Sequence, residues 1–367
     1  MSHVATSNAD AAPATGTTSY AAYARPLWQR LLLTRTAGMV AILVLAYVYA
    51  YNRVEFFDGK LTVYFLLMDM APILLMALPM TLFIITGEID LSVASTLGLS
   101  AVVTGLLVHD QGWSVPAAGV AALVVGLLAG ALNGFLVAYV GLPSLAVTIG
   151  TLALYRGVAV GLIGTKAISG LPQSWRDLAN KHIGTSSYPL IVVPIVVLAL
   201  LFAVLLHFTP FGRGVYEIGL NAETAHFSGV DVRRSKLLLY VLSGVVSAFA
   251  GVFYLLRFDS ANTDTGTGLE LQVIAAVLLG GVSIFGGRGD LLGVLAGVLL
   301  IGVLSSALRL QQTGSDVIEI VIGVLLVLSV ISTQLLDRLR ALRVRARRTE
   351  RSASTPEVGD ESRKVKS

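Results

Sequence analysis

The chain has 367 residues, 55% of them hydrophobic and only 13% charged, with 26 Lys and Arg against 22 Asp and Glu and a formal net charge of +4. That charged fraction is about half the ~25% of an ordinary soluble domain, and a soluble fold of this size could not hide so much apolar side chain, so lipid must cover it. The sequence contains no cysteine, which excludes disulfides, thiolate nucleophiles, iron–sulfur clusters and cysteine-type zinc sites.

Residues 1–34 are rich in Ala, Thr and Ser and are expected to form a disordered cytoplasmic tail. No apolar core with a cleavage site precedes the first long hydrophobic run, so a cleavable signal peptide is not expected. A membrane span needs roughly 20 predominantly apolar residues. Ten stretches qualify, at about 36–52, 65–86, 91–108, 115–140, 144–164, 188–208, 237–256, 268–285, 290–309 and 316–334. Runs such as Ile191 to Leu200 show no alternation of polarity, which argues against a barrel. The expected fold is therefore an all-α membrane protein whose transmembrane domain covers 35–336. Residues 337–367 open with Arg338, Arg340, Arg343, Arg345, Arg347 and Arg348 and are expected to be a second disordered tail. Placing the N-terminus inside puts fourteen Lys and Arg on the inner side and seven on the outer, which predicts both termini in the cytoplasm.

Along the spans, Gly126, Gly130 and Gly134 recur every four positions, as do Gly293 and Gly297, a spacing that lets helix backbones approach closely. Gly87 and Gly287, Asp90 and Asp290, and Leu91 and Leu291 each stand two hundred positions apart at a break between two spans. This echo suggests an internal repeat of the kind transporters contain.

The stretch Gly87-Glu88-Ile89-Asp90-Leu91-Ser92 separates two apolar runs with too few residues for a water-exposed loop between full crossings. A broken or re-entrant helix near 86–92 is predicted, because irregular backbone at membrane depth survives only against protein or a water-filled cavity. Asp90 or Ser92 can cap the helix that follows, and a half-helix start beside a cavity is where transporters place polar contacts. Glu88, Asp90 and Ser92 are accordingly candidate pathway residues. Asn133, Thr148, Thr151 and Gln272 could hydrogen-bond a polar solute along the same path. Arg156, near the middle of its span, needs a partner or water there, since a charge at that depth costs roughly 2.5–3.5 kcal/mol even on the milder scales.

Before the seventh span, Asn221-Ala222-Glu223-Thr224-Ala225-His226-Phe227-Ser228-Gly229 reads as a two-turn helix. Asn221 is the N-cap, Glu223 sits in the first turn, and Gly229 takes the left-handed conformation that ends it. Two turns are not stable alone in water, so this helix must dock against something.

Several stretches together resemble the permease subunits of ribose-type sugar ABC importers. They are Gly87 to Val93, Pro143 to Leu152, Tyr155-Arg156-Gly157, Phe211-Gly212-Arg213, Ser228-Gly229-Val230 and Leu278 to Gly287, and the resemblance covers about residues 60–334. The chain departs from it at Glu88, where the family often has Gly or Gln, and at Ala94, where it has Gly; its pattern is nearer the rhamnose, xylose and autoinducer-2 branches than ribose itself. The resemblance implies that the 209–236 segment carries a coupling helix, with Asn221, Ala222, Glu223, Thr224, Ala225, Ser228 and Gly229 seated in a groove of a separate cytoplasmic ATPase. It also implies a second permease, identical or sister, and an extracytoplasmic sugar-binding protein, for which Trp175, Arg176 and Asp177 in the outer 165–187 connection are candidate docking residues. The chain has no Gly-x-x-x-x-Gly-Lys-Ser/Thr phosphate loop, so ATP and Mg belong to the partner. No metal site, nucleic-acid partner or enzymatic role is expected, since the spans hold no His-plus-carboxylate cluster and no nucleophile elbow. The rival reading is an ion-coupled secondary transporter of a small polar solute, leaning on Glu88 and Asp90.

Overall fold

A computed structural model describes residues 34–329 and residue 331. In chain order its helices are α1 (Arg35–Arg53), α2 (Lys60–Thr86), α3 (Val93–His109), α4 (Val115–Phe135), prolonged by a π-helical turn over Leu136–Val140, α5 (Ser144–Ile163), α6 (Gln173–Ala179), α7 (Val192–Phe208), α8 (Pro210–Leu220), α9 (Ala222–Phe227), α10 (Val232–Phe258), α11 (Leu269–Leu279), α12 (Leu291–Leu310) and α13 (315–329). Extended pairing among the described residues amounts to two isolated bridges, Ile168 with Ala261 and His182 with Pro189. The protein is all-α, as expected. The tails at 1–34 and 337–367 lie outside the described residues apart from Thr34, as do the arginines from Arg338 to Arg348 and the end of the 316–334 stretch.

A helix that is apolar all round belongs in the middle of a bundle, and α2 is that helix. Every residue from 70 to 86 is buried, including Pro72 and Pro79 inside the helix. Around α2 pack α7, α8, α10, α11 and α12; α3 and α4 build a second layer against α10, and α5 packs on α3.

Each of the ten expected spans falls on a helix, but the expected count of ten full crossings is not reproduced. Among the described residues five helices are long and apolar enough to cross a bilayer, namely α2, α4 with its π-turn, α5, α10 and α12, or six if the pair α7 and α8, bent by 69° at Thr209, is one broken span. The clearest shortfall is the 268–285 stretch, whose helix α11 stops at Leu279. Gly281, Gly286 and Gly287 all take positive φ there, a conformation helices cannot continue through, and a hydropathy window does not register it. The helix α3 is similarly short, 17 residues.

The glycine ladder does what its spacing predicts. A Cβ on Gly126 would lie 2.3 Å from the Gly244 carbonyl oxygen, one on Gly130 2.2 Å from that of Tyr240, and one on Gly244 2.0 Å from that of Gly126. Backbones of α4 and α10 touch along this seam, the close packing that small residues permit without help from a hydrophobic driving force.

The two breaks of the echo meet. Gly87 (φ +80°) ends α2 and Gly287 (φ +70°) lies in the turn before α12, and the Gly287 amide donates to the Ile85 carbonyl at 2.7 Å. Asp90 and Asp290 play the same local part, each accepting from the amide two residues on: Ser92 at 2.9 Å and Leu292 at 3.4 Å.

Candidate functional site

Among the described residues, charged side chains pair at both ends of α10 and the helices beside it. At one end Lys236, one turn into α10, pairs with Glu88, the Thr36 hydroxyl donates to Asp290 at 2.9 Å, and the side chain of Arg35 packs beside Gly281. At the other end Asp69 of α2 is held between Arg257 at the close of α10 and Arg309 at the close of α12, and Arg176 of α6 binds Asp259 at 2.5 Å.

The short helix α9 stands at the first of these ends. Asn221 accepts from the Thr224 amide at 2.8 Å. At the far end the Gly229 amide donates to His226 and the Val230 amide to Ala225, each at 3.0 Å, with Gly229 at φ +90°. This is the Schellman arrangement, and it satisfies carbonyls that a two-turn helix would otherwise leave bare. Ala225 is buried against the protein, whereas Phe227 is 81% exposed. Beside it Ala222, Glu223, His226, Gly229, Asp231 and Arg233 line an open cavity of about 760 Å³.

The helix α8 ties α9 to both breaks. A Cβ on Gly219 would sit 1.8 Å from the Ile85 carbonyl oxygen and 2.5 Å from the Gly287 amide nitrogen, so α8 lies in backbone contact with the junction of the two. The Tyr216 hydroxyl donates to the Gly289 carbonyl at 2.9 Å.

Deeper in the bundle the polar groups of the 86–92 break form a closed network. Asp90 is 2% exposed and accepts from the Ser92 amide at 2.9 Å, the Ser92 hydroxyl at 2.6 Å and the Ser243 hydroxyl at 2.9 Å. The Asn133 amide donates to the Ser92 hydroxyl at 2.9 Å, and the Tyr155 hydroxyl donates to the Ala129 carbonyl at 2.8 Å, with Asn133 Oδ1 at 3.3 Å. The Thr148 hydroxyl donates to the Ile89 carbonyl at 3.2 Å. Elements α3, α4, α5 and α10 are thus tied into one network around a buried carboxylate, whose two oxygens accept three hydrogen bonds from the protein itself. Thr151 is buried and bonds its own helix at Val147.

Arg156 and Gln272 fall elsewhere. The Arg156 guanidinium donates to the Thr267 hydroxyl in the segment leading to α11. Thr267 and Gln272 line a cavity of about 340 Å³ with Leu271, Glu319 and Leu326. Of the eight pathway candidates, Asp90, Ser92, Asn133, Thr148 and Thr151 lie in or beside the inner network, Glu88 is taken up by Lys236, Gln272 lines a separate cavity and Arg156 reaches it through Thr267. Of the outer candidates, Trp175 packs into an apolar cluster with Leu171 and Ile168, Arg176 is committed to Asp259, and the exposed Asp177 accepts from Gln173 at 2.7 Å.

Among the described residues no group of three or more His, Asp or Glu is placed to hold a metal.

The chain matches, over residues 62–330, the family described as "Branched-chain amino acid transport system / permease component". It is 37% identical over 263 residues to the autoinducer 2 import system permease protein LsrD of Yersinia enterocolitica, a match covering 70% of this chain and 78% of the relative. It is 36% identical, with the same coverage, to the LsrD proteins of Yersinia pseudotuberculosis and Yersinia pestis. No solved structure matches the chain. With its apolar helices, its broken spans and its capped external helix, the chain is a multi-pass membrane protein that belongs to this family of ABC-importer permeases, transport components rather than enzymes.

Proposed function

We propose that the chain is the translocation subunit of an inner-membrane ABC importer for a monosaccharide or related small polyol-like solute. A cytoplasmic ATPase pair, binding ATP and Mg, would drive it; a second permease would complete the path, and an extracytoplasmic binding protein would deliver the solute. The observation that carries this reading is the connection from α9 through Gly219 and Tyr216 of α8 to the junction of the two breaks. A capped, externally placed helix with an exposed Phe227 suits a groove on another polypeptide. Rigid movement of α8 would then reach both half-helix starts at once, the rocking geometry of alternating access.

The end bearing α9 is the cytoplasmic one in this reading, in keeping with the arginines and Lys236 gathered there, and Asp177 with its surroundings on α6 would face the binding protein. The relatives' names support a solute of the autoinducer 2 kind. Uptake by reconstituted vesicles tests the reading. Transport should require ATP together with the ATPase subunit, and uptake that persists without both, driven by an ion gradient, would overturn it in favour of a secondary transporter.

A further inference from the structure

The cavity bounded by α11 and α13 is a second candidate site with a partly polar lining, set apart from the Asp90 network. Its lining includes Thr267, Gln272 and Glu319, framed by Leu271, Ile322 and Leu326. Glu319 is exposed, and so are Val317, Ile320, Val324 and Val327 on the same helix, at 40–63%. An apolar girdle of that kind belongs in a membrane, yet a carboxylate within it cannot face hydrocarbon without a cost of several kcal/mol. A carboxylate lining this cavity is accommodated by water or polar groups rather than by hydrocarbon.

A second observation points the same way. Arg156 Nη2 and Glu270 Oε2 are buried with no hydrogen-bond partner among the described residues, one beside Thr267 and the other in the first turn of α11. Buried polar atoms of this sort are ordinarily satisfied. The helix α11 itself starts inside the bundle: Gly266, two residues before its N-cap, packs against the Ala94 carbonyl of α3. An interior helix start with free amides and polar side chains on the adjoining turn is the setting in which transporters hold solute.

We infer that this cavity is the solute-contact segment of the translocation path and that it selects neutral or cationic polyhydroxylated solutes against anions, with Glu319 the selecting residue. The inference rests on the reading of the chain as a permease and adds to it the site and the charge class. A carboxylate accepts two hydrogen bonds from neighbouring hydroxyls of a polyol, while the Gln272 carboxamide and the Thr267 hydroxyl can both donate and accept. The cavity volume stands at the lower end of the ~300–1,000 Å³ range of small-molecule sites, the size for a small solute. Among the described residues lining the cavity, Glu319 is the one charged side chain. The resulting field is negative, and low-dielectric walls focus it.

The sequence has no cysteine, so single thiols report directly. In vesicles carrying the assembled transporter, Gln272→Cys is reacted with a cationic and with an anionic methanethiosulfonate, with Val197→Cys on the lipid-exposed side of α7 as control. The expected result is that Gln272→Cys reacts while Val197→Cys does not. Its preference for the cationic reagent should exceed that of a free thiol in solution by about tenfold, and adding Glu319→Gln should return the ratio to the free-thiol value. A Gln272→Cys as inert as Val197→Cys, or a reagent preference that ignores Glu319, overturns the inference. ATP-dependent uptake by the same vesicles is read in parallel. If it stays intact while the labelling result is negative, the site assignment fails and the permease reading stands; loss of ATP dependence in the unmodified protein would remove the reading itself.

Discussion

A methyl group at Gly219 measures whether α8 carries force from α9 to the breaks. The new Cβ would lie 1.8 Å from the Ile85 carbonyl oxygen and 2.5 Å from the Gly287 amide nitrogen, where real Cβ atoms keep at least 3.0 Å. Neither neighbour can swing aside, because both are backbone atoms joined to each other by a 2.7 Å hydrogen bond. Either α8 retreats by more than an ångström or that bond opens. Overpacking of this kind costs about 1–3 kcal/mol, and leaving a buried backbone donor unmade adds about 1–3 kcal/mol. The combined ~2–6 kcal/mol corresponds to a factor of about 30 or more in the population of the connected arrangement. With the ATPase and binding protein present in proteoliposomes, Gly219→Ala should keep hydrolysing ATP while solute moved per ATP drops at least tenfold. Gly150→Ala is the matched control, since its Cβ meets nothing within 4 Å. A Gly219→Ala protein with wild-type thermal stability and wild-type transport per ATP would refute the reasoning.

Two further substitutions separate the remaining parts. Gly229→Arg places a side chain in open space but at φ +90°, a strain of about 1–2 kcal/mol confined to the end of α9; the bundle should melt at its usual temperature while uptake falls about tenfold, and unchanged uptake would speak against α9 as the coupling element. Glu88→Gln leaves the Lys236 ammonium, whose side chain is 20% exposed, without its carboxylate and should cost about 1–3 kcal/mol, read as a lowered thermal midpoint in detergent. Adding Lys236→Met should restore most of that loss, and a double variant no more stable than Glu88→Gln would contradict the pairing.

What the sequence displayed well is local. Asn221 and Gly229 announce the two ends of α9 because a cap is decided by the residue at the cap and its near neighbours, and Asp90 accepting from the Ser92 amide is the same kind of fact. The four-residue spacing of Gly126, Gly130 and Gly134 forecast a backbone contact, though not that α10 supplies the other half through Gly244. What stayed hidden is what the fold brings together. Lys236 reads as one more inner cation until α10 sets it against Glu88, 148 positions away, which gives a physical use for the carboxylate that separates this chain from the usual Gly or Gln. Ser243 and Tyr155 look like ordinary span residues until they close around Asp90 and Asn133. Phe227 passes for one more apolar residue, and nothing near Glu319 in the sequence says that it shares a cavity with Gln272. The over-long 268–285 stretch failed for a related reason: hydropathy counts Gly280, Gly281, Gly286 and Gly287 as mildly apolar, whereas the backbone uses three of them to turn.

The brevity of α11 bears on how the chain enters the bilayer during synthesis. Eleven residues rise about 16 Å, roughly half of the ~30 Å hydrocarbon thickness, so this segment cannot leave the translocon as a crossing in its own right. It must wait in the insertion machinery until α12 emerges and enters beside it as a hairpin, the newborn glycine-rich turn held between them.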